Sequence, residues 1–477
     1  MNYYKLPYIL YRDYPDFGYL TDNRNFGYDT AAKSSVKVGD RVLSKTGSIF
    51  YSVLDENPQS VEALAGELLP LFVGVSLEEI MSDAIEFYDS LADDGFVGSG
   101  DNPSEGCYFS YEDLAPKQIP DENPIEDALD GDYYEKWRAE YHLSRVHLEV
   151  STRCNEHCVH CYFPDLYRRD TMSKDLFIRV LEQCKAAKVL SITISGGEPM
   201  LNSNLLFFIE ECRKNNFSIN LLSNLTLMTD EMVELFASIP LLSIQTSLYS
   251  MNPDIHDSIT SVKGSFEKTK QAIEKLHRHN IPMQINCPIM IQNRTSYQSV
   301  LRWAKALNIE ASSDYMLFGC FDGSCKNLNC RLELPEVESV IREGYSMIMQ
   351  SDNLDHNSEL ELAGRDYVIC PVCLSSICIA HNGDVYPCEG WQSYKLGNLD
   401  SSSLLQIWDG PIVNELRALS FDDFPKCRIC PDKDFCSLCL LRNANESRIG
   451  SFKDINPYFC SIAHIKREIA AERCRQS

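Results

Sequence analysis

The chain has 477 residues, a net charge of −25 and an apolar fraction of 44%. This length predicts two to four domains that can bury a core. The negative charge disfavours nucleic acid and anionic membranes as main partners. No apolar run of about 18 residues and no signal peptide is found, so we expect a cytoplasmic protein without a membrane span. In a reducing compartment, 20 cysteines favour metal binding over disulfides.

The first hundred residues predict short strands followed by helices. Strands are expected at 8–11 and 36–38. Two apolar helical stripes follow, formed by Val61, Leu64, Leu68 and Leu71, and then by Ile80, Ala84, Phe87 and Leu91. Ser76 and Glu79 have capping-box spacing before the second stripe, and Gly95 stands at its C-cap position. This order predicts a winged-helix-like module at residues 1–105, followed by a proline-rich, acidic linker at 106–142.

Three cysteines at spacing C-x₃-C-x₂-C follow an apolar strand pattern at 146–150: Cys154, Cys158 and Cys161. A structural metal site usually takes four ligands. Three thiolates on one loop can instead hold a four-iron cluster and leave one iron open for a substrate or cofactor. A zinc knuckle with a distant fourth ligand is the alternative.

From about residue 145, strand and helix patterns alternate, which predicts a parallel sheet with crossover helices. The strand patterns lie at 189–194, 218–222, 242–246 and 283–286, and the helical ones at 174–187, 229–238 and 264–279. The sequence Ser195-Gly-Gly-Glu-Pro199 follows the second strand, at the sheet edge where active sites of such folds collect. Its glycines allow the backbone to approach a ligand, and Glu198 offers an acceptor for an ammonium group.

A second group of cysteines begins at Cys370. The dipeptide Asn382-Gly383 predicts a two-residue hairpin turn that pairs residue 378 with residue 387 and brings Cys378 near Cys388. Further on, a C-x₂-C-x₅-C-x₂-C quartet is followed by one more cysteine: Cys427, Cys430, Cys436, Cys439 and Cys460. Such spacing suits zinc as well as iron–sulfur clusters. Three other cysteines are either metal ligands or part of a loop near the substrate: Cys320, Cys325 and Cys330.

The motif at Cys154–Cys161, with Tyr162 after it, resembles that of the radical S-adenosylmethionine (SAM) enzymes. In that family the open iron chelates SAM, and one electron releases a 5′-deoxyadenosyl radical. The resemblance implies an α/β fold with a partial (β/α)₆ barrel at 143–345. It also implies these SAM-contacting residues: Tyr162, Gly196, Gly197, Glu198, Ser223, Asn224 and Ser247. Relatives often carry an arginine near Thr260, which this chain lacks, so the contact to the SAM carboxylate stays unassigned.

The C-terminal cysteines at 346–477 resemble a SPASM domain, which carries auxiliary four-iron clusters. By this resemblance the first auxiliary cluster is held by Cys370, Cys388 and Cys439, with Cys378, Cys373 or no residue as fourth ligand. The second is held by Cys427, Cys430, Cys436 and Cys460. Two residues, rather than the family's usual three, separate Cys436 from Cys439. The resemblance implies three [4Fe-4S] clusters in all.

The N-terminal module resembles the recognition element of enzymes that modify ribosomally made peptides. There a leader peptide adds as a strand beside the module's sheet, in a groove closed by the third helix. The three modules together imply a peptide maturase that joins a precursor cysteine to a carbon of another residue, as in sactipeptides and ranthipeptides, with a flavodoxin or ferredoxin as electron donor. The alternatives are carbon–carbon crosslinking, a sulfatase-maturase-like activity and a non-catalytic zinc protein that binds a peptide.

Overall fold

The computed structural model describes residues 1–23, 39–100, 111, 140–350 and 369–475. Its N-terminal module has two three-stranded antiparallel sheets and three helices. Strand β1 (Asn2–Lys5) lies between β5 (Gln59–Ser60) and β6 (Val97–Ser99), and the second sheet has the order β2 (Leu10–Asp13), β3 (Phe17–Thr21), β4 (Asp40–Ser44). The helices are α1 (Lys45–Ser52), α2 (Val61–Leu68) and α3 (Leu77–Asp94). The strand expected at 8–11 begins at Leu10, and the one expected at 36–38 lies outside the described residues.

Helix α3 begins and ends as the sequence predicts. Ser76 and Glu79 form the capping box, and Gly95 ends the helix with a φ of 89°. The prediction for α2 is wrong at its end, because Leu71 is 55% exposed. The helix stops at Leu68 because Pro70 cannot continue the hydrogen-bond ladder, and Leu69–Leu71 turn as a short 3-10 helix.

The second part of the chain is an open barrel of six parallel strands with helices outside. In spatial order the strands are β12 (Glu310–Ser312), β11 (Met283–Asn286), β10 (Leu242–Ser247), β9 (Ser218–Leu222), β8 (Ser191–Gly196) and β7 (Arg145–Ser151). The helices are α4 (Lys174–Ala186), α5 (Leu205–Lys214), α6 (Asp230–Ser238), α7 (Pro253–Thr260), α8 (Ser265–Arg278), α9 (Tyr297–Ala306) and α10 (Leu334–Gln350). Alternate strand residues such as Ile192 and Ile194 are fully buried in the main core. The predicted partial (β/α)₆ barrel is confirmed.

The C-terminal part extends this sheet past its first strand. Strand β13 (Ser376–Ala380) pairs parallel with β7, and β14 (Asp384–Tyr386) and β15 (Gly397–Asn398) follow it. The remaining helices are α11 (Leu404–Trp408), α12 (Pro411–Arg417), α13 (Pro425–Arg428), α14 (Leu440–Glu446) and α15 (Pro457–Cys474). Helix α10 runs across residues 345 and 346, where the sequence predicts a domain boundary, so the placement of that boundary stays a prediction.

The predicted register of the C-terminal hairpin is wrong by one residue. Cys378 pairs with Tyr386, and Ile379 pairs with Val385. The loop therefore contains three residues rather than two, and Gly383 takes the left-handed conformation at φ 82°. Three-residue hairpin loops commonly end on such a left-handed residue.

The N-terminal module packs against the end of the barrel where the strands begin. Leu10 and Tyr19 share a buried cluster with Leu190 and Leu241, which directly precede β8 and β10. The guanidinium of Arg12 donates to the carbonyl of Val189 at 2.9 Å. The cysteine loop follows the opposite end of β7, so the N-terminal module and the cysteine loop lie at opposite ends of the barrel. No helix among the described residues is long and apolar enough to cross a membrane.

Candidate functional site

The loop that carries the three cysteines is held by the end of helix α7. The amide of His157 donates to the carbonyl of Thr260 at 2.9 Å, and the amide of Val159 donates to that of Ile259 at 2.9 Å. Carbonyls at a helix C-terminus have no partner within the helix, so they are available to fix a neighbouring loop. Three thiols on one fixed loop suit a four-iron cluster with one open iron.

The two glycines at the end of β8 lie directly against the chain that enters this loop. The amide of Gly197 donates to the carbonyl of Ser151 at 2.7 Å, and the amide of Glu198 donates to that of Arg153 at 2.7 Å. A Cβ atom on Gly196 or Gly197 would collide with these carbonyls, and Gly196 has a φ of 130°. The glycines are therefore required for backbone-to-backbone approach, and their predicted contact with SAM stays a prediction.

Glu198 ties the end of β8 to the end of β9. Its carboxylate accepts hydrogen bonds from the amides of Met200 and Asn224, at 2.9 and 2.8 Å, and from the hydroxyl of Ser223 at 2.8 Å. Burial raises the pKa of Glu198 to about 7, although these hydrogen bonds lower it. Glu198 is thus a fixed acceptor, as expected, and its contact with an ammonium group stays a prediction.

The polar residues that end β9 and β10 face the cysteine loop. The side-chain amide of Asn224 donates to that of Asn155, within the loop, at 3.0 Å. Ser247 hydrogen-bonds to Tyr249, whose hydroxyl lies 3.9 Å from the sulfur of Cys158. The structure therefore gathers these residues around the cysteine loop, where a cofactor would bind.

The segment 318–330 lies on top of the cysteine loop. Phe318 stacks on Tyr162 with ring centroids 5.2 Å apart, and Asn327 donates to the carbonyl of His160 at 3.1 Å. The thiol of Cys320 donates to the carbonyl of Cys161 at 3.7 Å. The segment therefore lies beside the cysteine loop, and the choice between metal ligands and a loop near the substrate for the cysteines at 320, 325 and 330 stays open.

Sequence reasoning missed two charged residues at this site. Arg168 lies beside Cys161 and lowers the pKa of that thiol, which burial raises. Glu149 projects from β7 and hydrogen-bonds to Gln392, and burial raises its pKa to about 8. A glutamate inside the apolar strand pattern at 146–150 was a visible signal for Glu149, whereas no local pattern marks Arg168.

The structure brings Cys370, Cys388 and Cys439 together. Burial raises the pKa of Cys370, and the neighbouring Cys439 raises it further. Burial is also the main cause that raises the pKa of Cys388, and Glu389, Cys439 and Cys370 raise it further. These three thiols form one set, as the predicted first auxiliary cluster requires.

The two candidates for a fourth ligand of this set face different surroundings. The pKa of Cys378 is raised by burial and then by Glu149, Glu389 and Cys388. Cys373 is fully buried, and its carbonyl accepts from Arg417 at 2.8 Å. Cys378 therefore faces the barrel interior, and the choice among Cys378, Cys373 and no residue stays open.

The second predicted set lines a cavity of about 50 Å³ together with Cys439: Cys427, Cys430, Cys436 and Cys460. Burial and, after it, the other three thiols of the set raise the pKa of Cys436 to about 12. Among the residues that the structure describes, no group of three or more histidine, cysteine, aspartate or glutamate side chains is arranged to hold a single metal ion. The assignment of these four cysteines to a cluster therefore stays a prediction.

Comparison with known families identifies both cysteine-bearing regions. The radical SAM superfamily matches residues 148–304, and the SPASM iron–sulfur cluster-binding domain matches residues 370–431. The chain is a radical SAM enzyme with a SPASM domain. Its cofactors are therefore SAM and [4Fe-4S] clusters, as the sequence predicts, while the ligands of each cluster stay a prediction.

Two curated proteins show how widely this radical SAM enzyme's core is shared. It is 26% identical over 306 residues to the antilisterial bacteriocin subtilosin biosynthesis protein AlbA of Bacillus subtilis (strain 168), covering 63% of this chain and 68% of AlbA. It is 22% identical over 331 residues to the AdoMet-dependent heme synthase of Methanosarcina barkeri (strain Fusaro / DSM 804), covering 65% of this chain and 94% of the heme synthase. The core by itself does not fix the substrate.

Solved structures extend the likeness of the radical SAM enzyme to its N-terminal module. Streptococcus suis SuiB bound to the precursor peptide SuiA matches 96% of this chain and 100% of SuiB, with a TM-score of 0.57 and 16% identity. Native anSMEcpe with bound AdoMet matches 69% of this chain and 97% of anSMEcpe, with a TM-score of 0.55 and 18% identity. A match over 96% of the chain must include the N-terminal module, so SuiB shares the whole three-part fold.

Proposed function

We propose that this enzyme binds the leader of a ribosomally made precursor peptide and uses its radical chemistry to form a thioether in that peptide. The observation that carries the proposal is the N-terminal module attached to a radical SAM and SPASM core. A three-part fold of this kind occurs in SuiB, which was crystallised with a precursor peptide. The relative AlbA acts in the biosynthesis of the bacteriocin subtilosin.

Strand β4, at one edge of the second N-terminal sheet, would bind the leader peptide. Strand β4 is the last strand of its sheet, and an ion pair of 3.4 Å between Arg41 and Asp94 joins it to helix α3. An extended peptide added to this edge would lie along α3 and gain backbone hydrogen bonds. Helix α3 contains seven acidic residues and neither lysine nor arginine, which favours a leader with basic side chains.

The barrel interior between the cysteine loop and the first auxiliary set would hold the core peptide. His147 bonds to Ser195, and Glu149 bonds to Gln392 in this region. Tyr162 lies next to them and stacks on Phe318. When bound, SAM and the cluster of the cysteine loop supply the radical that removes a hydrogen atom from the peptide. An open iron in the first auxiliary cluster would bind the precursor thiolate, and that cluster would take up the electron released by bond formation.

The first test is the iron and sulfide content of the anaerobically reconstituted protein, beside its Cys154/Cys158/Cys161→Ala variant. We expect about 12 irons per chain, falling to about 8 in the variant, together with SAM cleavage by the native protein alone. Bound zinc with little iron would instead favour the alternative, a non-catalytic zinc protein that binds a peptide.

Mass spectrometry of a precursor peptide encoded beside the enzyme would identify the bond. A thioether removes two hydrogens and consumes a precursor thiol, so the product resists alkylation by iodoacetamide at that cysteine. A carbon–carbon crosslink also removes two hydrogens but leaves every thiol reactive. A product oxidised at one residue without a crosslink would favour the sulfatase-maturase-like activity. Reduction by flavodoxin or ferredoxin in place of dithionite would test the proposed donor and fits a cytoplasmic location.

A further inference from the structure

Arg168 reaches back from the turn after the cysteine loop and spans both halves of that loop. It follows the short 3-10 helix Asp165–Tyr167, and its side chain is only 9% exposed. One guanidinium nitrogen donates to the carbonyl of Glu156 at 2.6 Å, and the other donates to the carbonyl of Phe163 at 3.1 Å. Glu156 lies between the first two cysteines and Phe163 lies after the third, so one side chain closes the loop.

The same guanidinium is a positive charge next to the predicted cluster ligands. Burial raises the pKa of the thiols of Cys161 and Cys154, and the charge of Arg168 lowers both. Its carboxylate partner Asp165, at 3.2 Å, is 73% exposed, so water and salt screen that charge. Glu198 raises the pKa of Cys154, so the guanidinium of Arg168 offsets part of the negative charge around the thiols.

A cluster held by thiolates becomes more negative when it is reduced. A nearby positive charge and hydrogen bonds to the sulfurs favour the reduced form and so raise the reduction potential. An arginine is suited to this position because its planar fork can reach two carbonyls while its charge is retained.

We propose that Arg168 is a positioning residue for the cluster of the cysteine loop, which closes the loop around the cluster and raises its reduction potential. The proposal rests on the cluster site assigned to Cys154, Cys158 and Cys161. The neighbouring Arg169 provides a matched control, because it carries the same charge on an exposed side chain. Its backbone amide donates to the hydroxyl of Thr152 and to the carbonyl of Tyr167, both at 3.0 Å, and no hydrogen bond of its side chain is described.

The test compares Arg168→Gln, Arg168→Lys and Arg169→Gln in the full-length reconstituted protein. The readouts are the midpoint potential from redox titration followed by electron paramagnetic resonance, and the rate of iron release to a chelator. The signals of the Cys154/Cys158/Cys161→Ala variant are subtracted to isolate the cluster of interest. We expect Arg168→Gln to have a more negative midpoint and faster iron release. Arg168→Lys should keep a midpoint near that of the native protein, yet release iron faster, because it retains the charge and loses the fork.

The proposal would be overturned if Arg168→Gln had the midpoint potential and the iron-release rate of the native protein. It would also be overturned if Arg169→Gln changed these two quantities as much as Arg168→Gln does. If Arg168→Gln loses this cluster and keeps the auxiliary clusters, the closing role is supported. If Arg168→Gln fails to fold, Arg168→Lys provides the test. Release of iron by Arg168→Lys at the rate of the native protein would overturn the closing role. Absence of iron from the native protein is a different result, which would contradict the proposed function itself.

Discussion

At the scale of single residues, burial inside the barrel controls the chemistry of the acidic side chains. Glu149, Glu156 and Glu198 all have pKa values that burial raises, to about 8, 7 and 7. A carboxyl group whose pKa is raised on folding binds its proton more tightly in the folded state. Each of these groups therefore contributes stability below its unfolded pKa that is lost as the pH rises towards its folded pKa.

Glu149→Gln tests this directly, because glutamine keeps the size and polarity of the side chain without its titration. The melting temperature of the native protein should fall relative to that of Glu149→Gln as the pH rises from 5 to 8. Thermal unfolding of the reconstituted proteins under nitrogen at several pH values gives the comparison. A constant difference between the two proteins across this range would show that Glu149 ionises freely in the folded state.

At the scale of secondary-structure elements, close approach between the end of β8 and the chain leaving β7 shapes the site. Gly196 and Gly197 permit this contact because any side chain there would meet the carbonyls of Ser151 and Arg153. The cysteine loop starts at that point, so its path depends on the glycines. The ends of β8 and β9 supply Glu198, Ser223 and Asn224, which fix these neighbouring strands to one another.

Gly196→Ala should displace the cysteine loop and destabilise the protein by about 1–3 kcal/mol, the usual cost of a strained backbone position. Iron content should fall by about one four-iron cluster, and SAM cleavage should be lost. Gly66→Ala is the control, since it lies within α2 with no atom within 4 Å of the added Cβ, and alanine favours helix there. Equal iron content in both variants would contradict this account of the glycines.

At the scale of the whole molecule, the N-terminal module is attached firmly to the start of the barrel. Arg12 is buried there; it donates to Val189 and lies 4.8 Å from the ring of Phe217. Burial lowers the pKa of Arg12 to about 10. Tyr111, in the predicted linker, holds that segment to the barrel, since its hydroxyl donates to the carbonyl of Ile239 at 2.8 Å. A leader bound at β4 would thus be held at a fixed distance from the cysteine loop, which lies beyond the full length of the strands.

Arg12→Ala should lower the free energy of unfolding by about 1.5–3 kcal/mol, because buried carbonyls would lose a charged donor. Arg41→Ala removes an arginine that is 39% exposed in its ion pair, so its effect should stay below about 1 kcal/mol. Urea unfolding followed by tryptophan fluorescence and circular dichroism compares the two. A larger effect for Arg41→Ala would show that the module is held mainly by other contacts.

The sequence by itself determined the features that depend on neighbouring residues. The cysteine spacing at 154–161, the capping box of Ser76 and Glu79, and the strand patterns at 218–222 and 283–286 all match the structure closely, because each arises from contacts within a few residues along the chain. The family resemblance followed from such local motifs.

Only the tertiary structure decided which distant segments meet. It placed β13 beside β7 and set a three-residue turn in the C-terminal hairpin, where the local dipeptide had favoured two. It also brought Arg168 onto the carbonyls of the cysteine loop and the N-terminal module onto the start of the barrel. The pairing of β13 with β7 and the docking of the N-terminal module depend on burial and on hydrogen bonds between segments far apart in sequence. The hairpin turn and the contacts of Arg168 join nearer residues, but no local pattern encodes them.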